Sequence, residues 1–324
     1  MRLLCALGLL LALLHVTSCL LIGAFNIRNF GVKKSGIRES KTYKEEYEEA
    51  MEIITKIVQH YDIILIQEVR DPDGKVTERL MALVNKDIPI NSPHHFDKIS
   101  SDYLGPSSHK ERYLFLYKDQ TVTVTDSFQY PDTAGDFDRP PFIVKFSSTQ
   151  TDVEFVLIPI HTSPSTDTTK EKTTLQELHA LDKVVDAAEV QWTNTKNIMV
   201  LGDFNAGIRY VKAEDWKNIP LFTDKGFHSL INDVATTMAE KPIQTHDRIV
   251  VSDEMNKGVV KAEVFDFIKA YPPKKAKAED VSDHFPVEVR LELKREVDPP
   301  GKAKRPLPEG LSKDPKKIKL SESE

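Results

Sequence analysis

The chain has 324 residues, 40% hydrophobic and 29% charged, with a formal net charge of −6. Those proportions are those of an ordinary globular protein. The acidic balance excludes a surface that is basic all over, as many polyanion binders have, but leaves room for a local basic groove.

Arg2 precedes an apolar run over residues 3–14, followed by Val16-Thr17-Ser18-Cys19. This reads as a signal peptide over residues 1–19, cut after Ser18 or Cys19, and implies secretion. The run is too short to span a bilayer comfortably, and no other stretch is long and apolar enough to do so. The two cysteines, Cys5 and Cys19, both lie in or beside this segment. The mature chain is therefore expected to have no internal disulfide, although it enters an oxidising compartment. No Asn-x-Ser/Thr acceptor occurs, so no N-glycan is expected.

Further along, residues 20–26, 63–67, 113–117, 153–160, 198–201 and 287–293 read as strands, being apolar and rich in β-branched residues. Between them lie two amphipathic helices. Tyr43, Tyr47, Met51, Ile54, Val58 and Tyr61 share one face at helical spacing, and so do Leu175, Leu178, Leu181, Val185, Ala188 and Trp192. Residues 33–44, before the first helix, carry several basic side chains and read as a solvated loop or an added contact to a polyanion. After Leu293 the sequence turns rich in Lys, Pro, Glu and Ser. Residues 294–324, with basic clusters at Lys302-Ala303-Lys304-Arg305 and residues 313–319, are expected to be a disordered tail. One domain over residues 20–293 remains.

Polar residues concentrate where these strands end. The first delivers Asn26, the second Gln67, Glu68 and Arg70, the next His161, then Asp203 and Asn205. Ser282-Asp283-His284 comes just ahead of the last. Such clustering is typical of a site held on a rigid sheet. The residue types suit phosphodiester hydrolysis. Glu68, Asp283 and Asn26 offer hard oxygen ligands for Mg²⁺. His161 and His284 move protons near neutral pH, and Glu111 and Asp247 are carboxylates available to orient them.

Seven strings occur in order: Ala24-Phe25-Asn26-Ile27-Arg28, Ile66-Gln67-Glu68-Val69-Arg70-Asp71, Lys110-Glu111-Arg112-Tyr113, Pro159-Ile160-His161-Thr162, Gly202-Asp203-Phe204-Asn205-Ala206-Gly207, Asp247-Arg248-Ile249-Val250-Val251 and Ser282-Asp283-His284-Phe285-Pro286-Val287. Together they resemble the deoxyribonuclease I family of the endonuclease/exonuclease/phosphatase superfamily. The resemblance implies an α/β fold, a two-sheet β-sandwich flanked by helices in four layers. It implies His161 paired with Glu111 and His284 with Asp247 as acid–base couples. Asp203 and Asn205 would orient phosphate and water, while Asn26, Glu68 and Asp283 would hold metal. Arg70, His109, Arg112 and Arg139 would contact DNA. The implied activity is a secreted endonuclease that uses Mg²⁺ or Mn²⁺ and leaves 5′-phosphate and 3′-hydroxyl ends. Ca²⁺ would be a structural ion and actin a further partner of a monomer. The basic tail resembles that of the DNase gamma branch.

The chain departs from the family pattern in places. His109 and His246 stand where the family usually has Tyr. Ile208 and the Gln244-Thr245-His246 stretch replace a family disulfide. Ala235-Thr236-Thr237 replaces an Asp-Thr-Thr loop, so one calcium site is expected to be lost. Two other readings stay open: a lipid phosphodiesterase of the same superfamily, and a non-enzymatic actin- or DNA-binding relative.

Overall fold

Twelve strands form among the residues that the computed structural model describes, namely 17–36, 44–86, 88–89, 95–106, 109–166, 172–238 and 244–294. They are β1 (Thr17–Gly31), β2 (Ile63–Arg70), β3 (Phe96–Ser100), β4 (Arg112–Lys118), β5 (Val122–Gln129), β6 (Phe142–Ser148), β7 (Glu154–His161), β8 (Ile198–Asp203), β9 (His228–Ser229), β10 (Asp247–Val251), β11 (Val259–Val264) and β12 (Val287–Lys294). Two six-stranded sheets result, in the orders β11-β12-β1-β2-β4-β3 and β5-β6-β7-β8-β10-β9. Each has a parallel pair at its centre, β1 with β2 and β7 with β8, and antiparallel neighbours outside.

The central strands are apolar on both faces because both faces are covered. In β2, Ile63 and Leu65 face the other sheet, packing in a core with Phe115, Phe146, Leu157, Met199 and Val289. Ile64 and Ile66 point the opposite way, toward Met51, Ile54 and Val58 of α1 (Lys44–His60) and Leu80 of α2 (Lys75–Val84). On the far side of the second sheet, Ile158, Val200 and Val250 meet α3 (Thr174–His179) and α4 (Leu181–Gln191) through Leu178, Val184 and Val185. The result is the four-layer α/β sandwich expected.

Three details amend the sequence reading. The second amphipathic helix is two helices, broken at Ala180. The Ala180 N–H is shared between the Gln176 and Glu177 carbonyls (3.1 and 3.2 Å), and Lys183 N reaches back only three residues to Ala180 O. The turn tightens there while the apolar face continues, which is why the pattern hid the break. Next, the stretch after β1 is not simply a solvated loop. Lys34 is buried, and its Nζ donates to Val281 O at 3.0 Å. Burial lowers its pKa to about 8, against the pull of Asp283 and Glu68. Finally, β1 begins at Thr17, so the expected cleavage points fall inside it, where Ser18 pairs with Leu293 and Cys19 with Glu292. Residues 1–16, 37–43 and 295–324, with most of the expected leader and tail, lie outside the described residues.

Candidate active site

Topology gathers the polar strand ends. β1, β2, β7 and β8 finish at one end of the sandwich, with Asn26 paired to Gln67 and His161 to Asp203. Their antiparallel neighbours β4, β10 and β12 start at that same end, which places Glu111, Asp247 and Ser282-Asp283-His284 there. Contributions from both sheets therefore meet across the sandwich.

Two histidine–carboxylate pairs lie at the centre. His161 Nδ1 is 2.5 Å from Glu111 Oε1, and His284 Nδ1 is 2.8 Å from Asp247 Oδ2. Both histidines turn Nε2 toward one oxygen, Asp203 Oδ2, at 3.7 and 3.9 Å. Asn26 Nδ2 donates to that oxygen at 3.1 Å, and Asn205 N donates to Asp203 Oδ1 at 2.8 Å. Burial opposes charge on every one of these groups, yet the neighbours prevail at most of them. Against burial, Asp247 with Asp203 behind it takes His284 up to about 10. Glu111 likewise raises His161. Asp203 is held below the usual carboxylate range, because His284, His161 and His246 outweigh burial. At Asp247 burial wins, and its carboxyl is raised.

Glu111 is clamped from its other side by Arg139, whose Nε is 3.2 Å from Oε2. Arg139 is buried and lines a cleft of about 670 Å³ beside His161, together with Arg70, His109, Ser163 and Lys172. Arg112 is placed differently. Its guanidinium is engaged within the protein, by the carbonyls of Ser101 (2.8 Å) and Asp71 (3.3 Å) and by the Tyr103 ring.

Two oxygen atoms suited to a hard cation lack donors. Among the described residues, Asn26 Oδ1 and Asp283 Oδ1 are buried and have no hydrogen-bond partner. Glu68 sits at φ 58° in a bulge of β2, where the pairing shifts between Ile66 and Val69. A non-glycine residue in this left-handed region costs roughly 1–3 kcal/mol and persists where its surroundings enforce it. The bulge re-aims the carboxylate, which accepts from Asn29 N at 2.8 Å. Asn205, at φ 46°, is another such position. Asp203, Asp247 and His284 form a second group whose ligand atoms lie within 4.8 Å of one another.

Several residues that hold the site together have no supporting role in the sequence reading. Gln67 crosses between the sheets, accepting from Asp203 N (3.0 Å) and donating to Ile160 O (2.7 Å). Ser282 Oγ donates to Asn26 O at 2.7 Å and accepts from His284 N at 3.1 Å. Thr236 Oγ1 accepts from both His246 N and Asp247 N, at 3.0 and 3.1 Å. Ser282 and Gln67 read as polar residues at strand ends, so position could have suggested their support; Thr236 reads only as part of an altered calcium loop, which gives no hint of its bonds to His246 and Asp247.

A profile described as the Endonuclease/Exonuclease/phosphatase family matches residues 23–284. Deoxyribonuclease gamma of Homo sapiens is 38% identical over 296 residues, covering 89% of this chain and 90% of its own length. Deoxyribonuclease-1 of Bos taurus is 38% identical over 296 residues, covering 88% and 97%. Among solved structures, an endonuclease/exonuclease/phosphatase from Bacteroides vulgatus superposes with a TM-score of 0.58 at 17% identity, covering 85% of this chain and 99% of that one. At that identity the likeness concerns the fold alone.

Proposed function

Because the chain belongs to the endonuclease/exonuclease/phosphatase family and, within it, to the deoxyribonuclease I family, we propose that it is a secreted, divalent-metal-dependent endonuclease that hydrolyses DNA to 5′-phosphate and 3′-hydroxyl ends. The observation that carries this reading is the pair of histidine–carboxylate couples aimed at one aspartate, at 3.7 and 3.9 Å. A pure binding protein has no use for paired proton carriers in that arrangement.

Hydrolysis needs a water to lose a proton and the leaving oxygen to gain one. His161 and His284 are the acid–base pair, each held in one tautomer and stabilised when charged by its own carboxylate. Asp203 and Asn205 orient phosphate and water between them. Asn26, Glu68 and Asp283 would hold Mg²⁺ or Mn²⁺. The partnerless oxygens of Asn26 and Asp283 suit a hard cation, and in the second group His284 is already engaged by Asp247 Oδ2. The cation, when bound, supplies positive charge against the phosphate oxygens. Arg70 and Arg139 line the cleft beside His161, which supports assigning them to contact with neighbouring phosphates. Ca²⁺ enters the reading as a structural ion; the Ala235-Thr236-Thr237 loop, whose Thr236 hydroxyl turns inward, lacks the acidic residue for one such site.

Residues 1–19 support secretion by their composition. Because the histidines, carboxylates and asparagines come from one chain, a monomer suffices. Actin binding is carried by the resemblance alone. The test is digestion of plasmid DNA with Mg²⁺, Mn²⁺, Ca²⁺ or EDTA, beside a sphingomyelin or phosphoinositide assay. Cleavage of DNA that EDTA abolishes is expected. Turnover of the lipid with intact plasmid would favour the lipid phosphodiesterase instead.

A further inference from the structure

Glu111 and Tyr113 are two residues apart, so their side chains leave the chain on the same face, toward the second sheet. Tyr113 is buried, and its hydroxyl makes two bonds there: it accepts from His161 N at 3.0 Å and donates to Arg139 O at 3.1 Å. These two residues also flank Glu111, His161 at Oε1 (2.5 Å) and Arg139 at Oε2 (3.2 Å). The four residues close a ring that spans the two sheets.

The backbone explains why a phenol is needed. The ladder between β6 and β7 extends only to Val144 opposite Leu157. Beyond it, Pro159 has no N–H, and the His161 N–H has no partner from β6. On the other side of β7, pairing to β8 continues through Thr162 N to Asp203 O at 3.2 Å. The Tyr113 hydroxyl therefore takes the place of the missing strand at the residue that carries the imidazole. Burial, with Glu111 nearby, pushes the phenol well above its usual range, so the O–H is retained as a donor.

We infer that Tyr113 is a positioning residue for the hydrolysis, one hydroxyl that fixes His161 and Arg139 on either side of Glu111. The inference rests on the function proposed above. Tyr113→Phe removes the oxygen and keeps the ring. Displacing a catalytic group by about 1 Å can cost about a hundredfold in rate, and a smaller shift less, so about ten- to a hundredfold is expected here. The variant should lose that much in kcat on plasmid DNA with Mg²⁺, with KM within twofold. Tyr61→Phe is the control. It deletes another buried phenol bond, 2.8 Å to Glu288 Oε2, and should lower the thermal midpoint while leaving kcat unchanged. The His161 ring resonances should move in Tyr113→Phe and stay in place in Tyr61→Phe. A kcat within twofold of the unaltered chain, together with unmoved His161 resonances, would overturn the inference. Should Tyr113→Phe not fold, backbone exchange in the unaltered chain decides: a protected His161 amide supports the bond, and free-amide exchange refutes it. If the unaltered chain leaves DNA intact, the functional reading fails on its own, and the resonance and exchange results still judge the placement of His161.

Discussion

Replacing His284 or His161 by alanine deletes a proton carrier and takes the imidazole partner away from a buried carboxylate. If the proposed chemistry holds, each change should slow plasmid cleavage by roughly 10²–10⁴-fold in a protein that still folds; near-normal cleavage by folded His284→Ala would refute the assignment. The same residue carries a pH signature. In the folded, metal-free chain His284 is raised from the ordinary 6.5 to about 10 by Asp247 and Asp203, against burial. The folded state then holds a proton that the unfolded state releases across that interval. Its contribution to stability is full below about 6.5 and is lost as pH rises through about 10. Lys34, lowered to about 8 by burial, works in the opposite direction, so the comparison must be made between variants. In EDTA, the thermal midpoint of the unaltered chain should fall more steeply between pH 7 and pH 10 than that of His284→Ala. Parallel curves would refute the coupling. At this scale the reacting residues were legible because their types are tied to their chemistry. Tyr113 and Thr236 were not, since a tyrosine in an apolar strand and a threonine in a loop look the same whether or not their hydroxyls support a site.

Among the elements, most strands read from sequence are apolar runs buried on both faces, such as β2, β7 and β8, whereas β12 was legible through the alternation of buried Val287, Val289, Leu291 and Leu293 with charged residues. β3 and β11 were missed because they are edge strands with exposed positions such as Asp97, Lys98 and Lys261. The outer strand β5, with its threonines and Asp126, was missed for the same reason. The bulge in β2 was also invisible, although it matters for function. It puts Glu68 at φ 58°, a conformation that glycine adopts freely and alanine does not. Glu68→Gly and Glu68→Ala both lose the carboxylate and should both be inactive. They should differ in stability, with the glycine variant firmer by about 1 kcal/mol. Urea denaturation of the two proteins measures this directly. An alanine variant as stable as the glycine variant would mean that the backbone relaxes once the side chain is gone, and that the strain belongs to the glutamate's contacts.

For the molecule as a whole, the departures from the family pattern bear on what holds the active-site end together. The chain has Ile208 and Gln244-Thr245-His246 where the family carries a disulfide, and among the described residues the cysteine is Cys19, exposed and unpaired. Ordinary bonds tie that region down instead. Thr245 Oγ1 donates to Val234 O at 2.7 Å and accepts from Val234 N at 3.1 Å. Phe204 N donates to His246 O at 2.9 Å, joining the loop to the end of β8. Gln244 packs so closely on Gly207 that a Cβ there would lie 2.1 Å from its Oε1. A native disulfide in a small secreted domain typically contributes about 2–5 kcal/mol, and reducing it often unfolds the protein. With residues 1–19 removed as proposed, a reductant has no internal bridge to break. Dithiothreitol should therefore leave both the thermal midpoint and plasmid cleavage unchanged at fixed Mg²⁺, with or without Ca²⁺. The stability it leaves untouched resides in the core between the sheets, in the two helix-covered faces, and in any cation that favours the folded state. A melting curve and a digestion of the purified mature protein, run with and without reductant, test this. A marked drop on reduction would mean that Cys19 stays in the mature chain and bridges two copies, in which case non-reducing electrophoresis should show a dimer that collapses to a monomer as the midpoint falls.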